Sequence, residues 1–514
     1  MSTEGSVKHL LLLLAAALPA AAADIRVDGS YRLRLNTESN YLLDPLTRLG
    51  QQQWVEHRLR ITPKIVEQDT IEVQGSFDVL NGIIGGDLAP NFQDLGWQGR
   101  SNRNGIHTSG FEFRHLFVKL RMPFGVFEFG QMPNDWGMGM FINGGDQENA
   151  FDFGDQRFGD IVDRILFATR PFGFLGPRSE IARNVALAVA ADLVYRDRYA
   201  SLFGNDVGNS QGLFSTGGVH WGDVASEIVA ALVWDPSTDS RAGIYIARRW
   251  QEYALGGGSL HTWLFDVHAR TLFPVRAIGG VLSLEAEAAE LYGSTTHSPN
   301  LSGLRTQIAQ QGAAVRAVLS RGTVEAEIEG GYASGDSNPF DAASTQFQFN
   351  RDFKVGLVLF DEVLLFQTQN AASRLADPRF TARPPPGIDL LPTQGAVTNA
   401  LYLKPTVRWR PSLFGGRLRL VGSVLFARAA EAYVDPYSTY VASAPMNVFG
   451  AAAGRNYGTE IDAAASWRVR LGSTLAYELG VQAGRLFPGN AFQLADGSRL
   501  SPVNALRFRA TLQF

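Results

Sequence analysis

Ile25-Arg26-Val27-Asp28-Gly29-Ser30-Tyr31-Arg32-Leu33-Arg34-Leu35-Asn36 alternates without a break. Ile25, Val27, Gly29, Tyr31, Leu33 and Leu35 fall on one side; Arg26, Asp28, Ser30, Arg32, Arg34 and Asn36 fall on the other. Successive side chains of a strand point to opposite faces, so a period of two predicts a strand with one apolar and one polar face.

The same pattern recurs along the chain. It returns at Ile71 to Val79, at Leu401 to Arg410, at Ile461 to Arg468 and at Arg507 to Phe514. Strands of about ten residues with this two-faced character fit a membrane barrel around a wet lumen. Only a closed barrel satisfies every strand hydrogen bond in lipid. The last strand ends in Phe514 and resembles the signature read by the outer-membrane assembly machinery.

The first residues agree with an exported protein. Lys8 and His9 precede an apolar run from Leu10 to Leu18, and Ala20 to Ala23 then lead into Asp24. That order predicts a secretory signal peptide over residues 1–23, cut after Ala23. The run is too short to cross a bilayer as a helix, which needs about 20 apolar residues. The mature chain, 24–514, is then one outer-membrane β-barrel, with membrane lipid and the assembly machinery as partners.

Composition narrows the class. The chain has 514 residues, no cysteine and a net charge of −4. Disulfides, zinc–thiolate centres and cysteine nucleophiles are thereby excluded, and nothing marks a nucleic-acid binder. Fifty-four glycines and a mean hydropathy of −0.05 suit alternating strands joined by turns. No cofactor is expected.

Connections alternate short and long. Glu67 to Asp69, Met122 to Gly125, Asp235 to Arg241, Ser320 to Gly322, Pro411 to Gly415 and Gly472-Ser473 are short; Asn81 to Gly110, Pro133 to Asp160 and Asp197 to Gly222 are long. Short periplasmic turns and long extracellular loops are the barrel's usual asymmetry. Pairing each long loop with the next short turn predicts about 18 antiparallel strands in an up-and-down order. Parity then requires 334–396 to be one extracellular excursion that restricts the pore, including the apolar run Phe353 to Phe366. The alternative is a missed pair of strands, against which Pro384-Pro385-Pro386 argues. Trp54, Trp221, Trp250 and Trp263 fall near predicted outer strand ends, and Trp234, Trp409 and Trp467 near inner ends, as two aromatic belts would.

Inward positions carry the candidate functional residues. Arg32, Arg34, Arg58, Arg60, Arg507 and Arg509 share a mid-height on strands that become neighbours on closure, with Arg408 and Arg410 nearer the periplasm. Glu285, Glu287, Glu325, Glu327 and Glu329 gather elsewhere. The lumen is predicted to set a pore-lining basic wall against an acidic one, a field that a low-dielectric wall focuses on a permeating ion or polymer. The competing reading is that these charges pair or hydrate a filled barrel.

With these residues in view, the chain resembles the alginate-export type of outer-membrane barrel. The resemblance rests on the Arg-bearing first strand, the eighteen-strand plan, Phe111 to Leu120 with Pro123-Phe124-Gly125 and Gly130-Gln131, and the terminal Phe514. Asp135 to Met140 with Asn143-Gly144-Gly145-Asp146, and Asn350 to Val355, are similar to motifs of large uncharacterised outer-membrane barrels. The resemblance implies export of an anionic polysaccharide through an Arg-rich pore, with periplasmic polysaccharide-secretion components as partners. The family's Gly-Arg-Gln is here Gly130-Gln131-Met132, which removes one luminal arginine.

Enzymatic or metal chemistry has little footing. His107-Thr108-Ser109 sits in a predicted loop with no strand to fix a catalytic geometry. The acidic loop positions Asp146, Glu148, Asp152, Asp155, Asp160 and Asp163 do not match a calcium-loop spacing. The chain therefore reads as a channel for polar, anionic solutes or polysaccharide. The alternative is a structural or adhesive barrel with a plugged lumen.

Overall fold

The computed structural model describes residues 23–86, 107–109, 112–146, 153, 159–176, 178–200, 223–253, 257–301, 304–377, 379–381 and 384–514. Residues 1–22 of the proposed signal peptide lie outside the described residues, as do Trp221, Glu148, Asp152 and Asp155.

Eighteen antiparallel strands form one closed ring. They are β1 Asp24–Glu38, β2 Gln52–Glu67, β3 Ile71–Gly86, β4 Glu112–Met122, β5 Gly125–Pro133 and β6 Ile161–Thr169. Then come β7 Val185–Arg196, β8 Val224–Ser237, β9 Ser240–Glu252, β10 Ser259–Val275, β11 Gly280–Thr295 and β12 Thr306–Arg321. The ring is completed by β13 Val324–Ala333, β14 Ala400–Trp409, β15 Leu418–Arg428, β16 Asn456–Leu471, β17 Leu475–Pro488 and β18 Val503–Gln513. Each strand pairs with the next, and β18 closes the ring against β1 in the register Ser30–Gln513 to Glu38–Ala505.

The alternation decides which face points where. Ile25, Val27, Leu33 and Leu35 are exposed on the outside, whereas Arg32, Arg34, Asn36 and Glu38 are buried inside. The pattern repeats on β14, where Leu401, Leu403, Val407 and Trp409 are exposed and Tyr402, Lys404, Thr406 and Arg408 are buried. An apolar exterior around a polar interior is stable only in a non-polar solvent.

Two details differ from the sequence reading. β3 runs on to Gly86 rather than ending at Asn81, and His107–Ser109 form a short strand paired with Asn81 to Ile83. The His-Thr-Ser segment is therefore tied to the ladder and is not free in a loop. Trp54 is the other: it is buried, with its indole Nε1–H donated to Glu56 Oε1 at 2.7 Å, so it belongs to the interior and not to an outer belt. Trp250, Trp263, Trp234 and Trp409 are exposed near strand ends.

The connection from β13 to β14 supplies no strand that crosses the wall: β13 pairs directly with β14 from Val324–Trp409 to Ala333–Ala400, and Ala343–Ser344 only add a short parallel pairing to Gln307 and Ile308 of β12. Its residues instead fill the interior. Phe347, Phe349, Leu357, Val358 and Val363 are fully buried and form a continuous apolar core with Tyr402, Leu425, Tyr457 and Phe492; Leu375 is fully buried too. A π-helical turn, Leu359–Leu364, leads into the inner helix Leu365–Ala376. Burying this apolar run against the wall, at roughly 25 cal/mol per Å², is what holds it within the ring and off the ladder.

Phe514 seals the seam. Its N–H donates to the Gly29 carbonyl at 3.0 Å, and Gly29 N–H donates to the Phe514 carbonyl at 2.7 Å. The ring lies over Gly29, where a Cβ would sit 2.5 Å from the aromatic carbon, so the seam closes tightly only with glycine there.

Candidate functional site: the charged interior

On the inner faces of β18, β1 and β2, register brings the arginines together. Arg32 stands directly opposite Arg58, and Arg34 directly opposite Arg509. Like charges facing each other across a ladder are destabilising in isolation, and carboxylates accompany this wall. Arg32, Arg34, Arg58, Arg60, Arg507 and Arg509 are all buried on the inner side. Arg34 is ion-paired with Glu56. Arg60 clasps Asp78 of β3 through Nε and Nη2, at 2.7 and 3.0 Å.

Loops complete the cluster from inside. Asp146, from the β5–β6 connection, meets Arg60 at 3.3 Å and the fully buried Arg114 of β4 at 3.1 Å. Burial opposes its charge, but Arg114, His115 and Arg60 together hold its carboxyl below the ordinary aspartate range. Arg507 reaches Asp361 Oδ2 at 2.6 Å and also pairs with Glu362, both on the π-helical turn. Sequence reasoning missed Glu56, Asp78, Arg114, Asp361 and Glu362 as members of this site.

The acidic residues are also inside but are not an open wall. Glu327 pairs with Arg408 at 2.9 Å, and Glu329 with Arg316 at 2.6 Å while accepting the Tyr402 hydroxyl at 3.1 Å. Glu285 meets His268 at 3.1 Å. Glu287 accepts backbone N–H groups of Met138 and Phe141 from the β5–β6 loop. Glu325 meets Arg410 at 3.4 Å; Arg410 lies just past the end of β14 and is exposed, so it sits at the rim and not within the interior. The acidic side is thus laced by local ion pairs, and loop-borne carboxylates accompany the basic side.

The two motifs singled out in the sequence meet here. Asn350 N–H donates to the Met140 carbonyl at 2.6 Å, and its amide Nδ2 to Asp160 Oδ2 at 2.7 Å. Asp352 accepts Gly159 N–H at 2.7 Å. The β5–β6 loop and the inner segment therefore form one knot inside the ring. Among the described residues, no group of three His, Cys, Asp or Glu side chains could hold a metal ion.

Beside the knot, between strands β7 to β12 and the inner segment, lies a cavity of about 1940 Å³ counted with the solvent it opens onto. Tyr245, Arg249, Tyr253, Gln348 and Phe349 line it. Arg249 is held by Asp197 and, at 3.1 Å, by Glu227.

No protein-family model matches the sequence, and no curated protein matches it. Among solved structures the chain is similar to OccAB1 of Acinetobacter baumannii, with a TM-score of 0.50 and 8% identity over 95% of this chain and 96% of that one. That likeness shows the fold, and the closed ring with its apolar exterior sets it in a membrane. The chain is a barrel of the bacterial outer membrane. Pseudomonas aeruginosa OccK11 aligns at a TM-score of 0.48 with 10% identity over 96% of both chains. OccK2 of the same organism, solved with glucuronate, aligns at 0.47 with 10% identity over 96% of this chain and 98% of that one. The comparisons support the outer-membrane barrel part of the sequence resemblance; they do not support alginate export.

Proposed function

We propose that this outer-membrane barrel is a channel for small polar solutes and favours anions. The observation that carries the reading is the direct cross-strand register of Arg32 with Arg58 and of Arg34 with Arg509 on adjoining strands. Such a wall, framed by low-dielectric lipid, raises the local concentration of anions. Under the usual asymmetry of short periplasmic turns and long outer loops, the inner segment enters from the cell exterior and narrows the path. Its apolar bulk favours a small solute over a polysaccharide, and with it a channel that works without polysaccharide-secretion partners. The burial of Phe347 to Leu375 inside the ring favours a second reading, a structural barrel with a plugged lumen.

Planar-bilayer recording of the purified protein separates the two. Stepwise conductance with a reversal potential on the anion side of zero in a salt gradient is the expected result. A protein that inserts, shows heat-modifiable migration and carries no current supports the plugged barrel instead.

A further inference from the structure

The inner segments are seated on the wall by one device used twice. At the first seat, Glu460 of β16 receives three successive backbone N–H groups: Leu357 and Val358 on Oε1 at 2.7 and 2.8 Å, and Leu359 on Oε2 at 2.7 Å. These are the open donors at the start of the π-helical turn, which has no side-chain cap of its own. A helix start leaves such N–H groups without partners and favours a negative charge beside them. At the second seat, Glu287 of β11 receives the Met138 and Phe141 N–H groups.

Each glutamate has a carboxyl companion. Asp462 lies two residues along the same strand face as Glu460, and Asp266 lies diagonally across from Glu287 on β10. All four groups are buried, none more than 2% exposed. In each pair the two side chains are within hydrogen-bonding reach of each other. Asp462 has no hydrogen-bond partner on either oxygen, and Asp266 has none on Oδ2; its Oδ1 accepts Trp136 Nε1–H at 2.9 Å. Both incoming loops present a glycine to the carboxylate. A Cβ at Gly356 would sit 2.5 Å from Glu460 Oε1, and one at Gly137 would sit 2.3 Å from Glu287 Oε2.

Two adjacent buried carboxylates cannot both remain ionised without a cation between them. We propose that each pair shares one proton, that the glutamate is the ionised member, and that further protonation in acid unseats both loops and widens the channel. The assignment follows from the partners. A carboxylate accepts several N–H donors, whereas a protonated carboxyl turns one oxygen into a donor facing other donors. The unpartnered Asp462 and Asp266 oxygens have room to carry the proton and pass it to the glutamate as a hydrogen bond. Around Glu460 the other charges are Asp462, Lys404 and Arg507 on the wall and Asp361 and Glu362 on the turn. Around Glu287 they are Asp266, His268 and Glu285, with Arg316 beyond. The accepted backbone N–H groups are what favour a charge on each glutamate. Acid removes the glutamate charge but leaves the cations, so the seats weaken from one side only.

The opening of the channel rests on the channel reading above, so the test uses two readouts. Conductance is recorded from pH 7 to pH 4, and amide hydrogen exchange is followed at Met138, Phe141 and Leu357 to Leu359 in the intact barrel. In the wild type, exchange corrected for intrinsic pH dependence should rise about ten- to a hundredfold in acid, the factor for losing a bond to a charged acceptor. E460Q should show the fast exchange at Leu357 to Leu359 already at pH 7, and E287Q the same at Met138 and Phe141, both with larger conductance. D462N and D266N copy the protonated partners and should behave as wild type at pH 7. Fast exchange in D462N or D266N at pH 7, or slow exchange in E460Q and E287Q, overturns the assignment. Slow exchange throughout the wild-type acid series overturns the acid release. Exchange that responds as stated in a barrel carrying no current supports the seats and rejects the channel.

Discussion

Arg507, on the strand that closes the ring, holds Asp361 of the inner turn at 2.6 Å, and the same guanidinium pairs with Glu362. Asp361 is shared with Lys354 at 2.6 Å, so one turn of the interior is fastened both to the wall and to itself. The far end of the inner helix is fastened as well: Asp44 of the β1–β2 loop accepts Asn370 at 2.6 Å and Arg374 at 2.9 Å.

Removing the wall partner should therefore loosen the interior and spare the ring. R507Q removes this guanidinium from Asp361 and the buried Glu362, and breaking a buried pair from one side costs about 3–5 kcal/mol. Hydrogen exchange should lose protection across Leu357 to Ala376 while the strands keep theirs. Unchanged protection would mean that Lys354, Glu460 and the apolar packing hold the turn without Arg507.

Selectivity should follow the arginine wall. The triple variant R34S, R60S, R509S should move the reversal potential towards cations at low salt. The shift should shrink near 1 M salt, where the Debye length is about 3 Å. An unchanged anion preference at low salt would remove these side chains from control of permeation.

A pH dependence of the opposite sense to the carboxylate seats is expected at the rim. His297, in the β11–β12 connection, meets Asp389 at 2.9 Å and stacks on Tyr253 with ring centroids 4.0 Å apart. Burial opposes its charge, but Asp389 and the Gly257 carbonyl outweigh it and raise the imidazole above its ordinary value. A raised histidine contributes stability that is complete below the unfolded value of about 6.5 and is lost as pH climbs through the folded one. Proteolysis near Pro385 should accordingly speed up as pH rises above about 6.5. H297Q should abolish that dependence; a variant that keeps it would place the responsible group elsewhere.

Deleting Phe514 should slow assembly, since it removes the ring over Gly29 and both hydrogen bonds of the seam. Pulse-chase of heat-modifiable migration reads the rate. Assembly at the wild-type rate would show that the seam tolerates an open end.

The ring was readable because lipid imposes one rule on every strand, and Ile25 to Asn36 obeys it as plainly as Arg507 to Phe514. The interior obeys no such rule. Trp54 shares its face with Glu56 and Arg58, yet an aromatic residue at a strand end invites a belt assignment. Asp462 stood out as an inward residue, but the work of Glu460 beside it is done on backbone N–H groups of Leu357 to Leu359, and a bond to backbone leaves no mark in the partner's side chains. Asp361 and Arg507 are linked by no periodicity at all; only closure of the ring makes them neighbours. His107–Ser109 was too short to reveal its pairing with β3.

The order of the chain has a kinetic consequence. The inner turn is synthesised well before β16 and β18, yet its N–H groups are received by Glu460 and its acids by Arg507. Until those strands arrive, the turn's N–H donors lack Glu460 and its acids lack Arg507. The seam at Gly29 and Phe514 meanwhile joins the first strand to the last, a contact of extreme sequence separation that forms slowly. Closing the ring and settling what it encloses are therefore one late event, and an assembly intermediate with an open seam will carry an unseated interior.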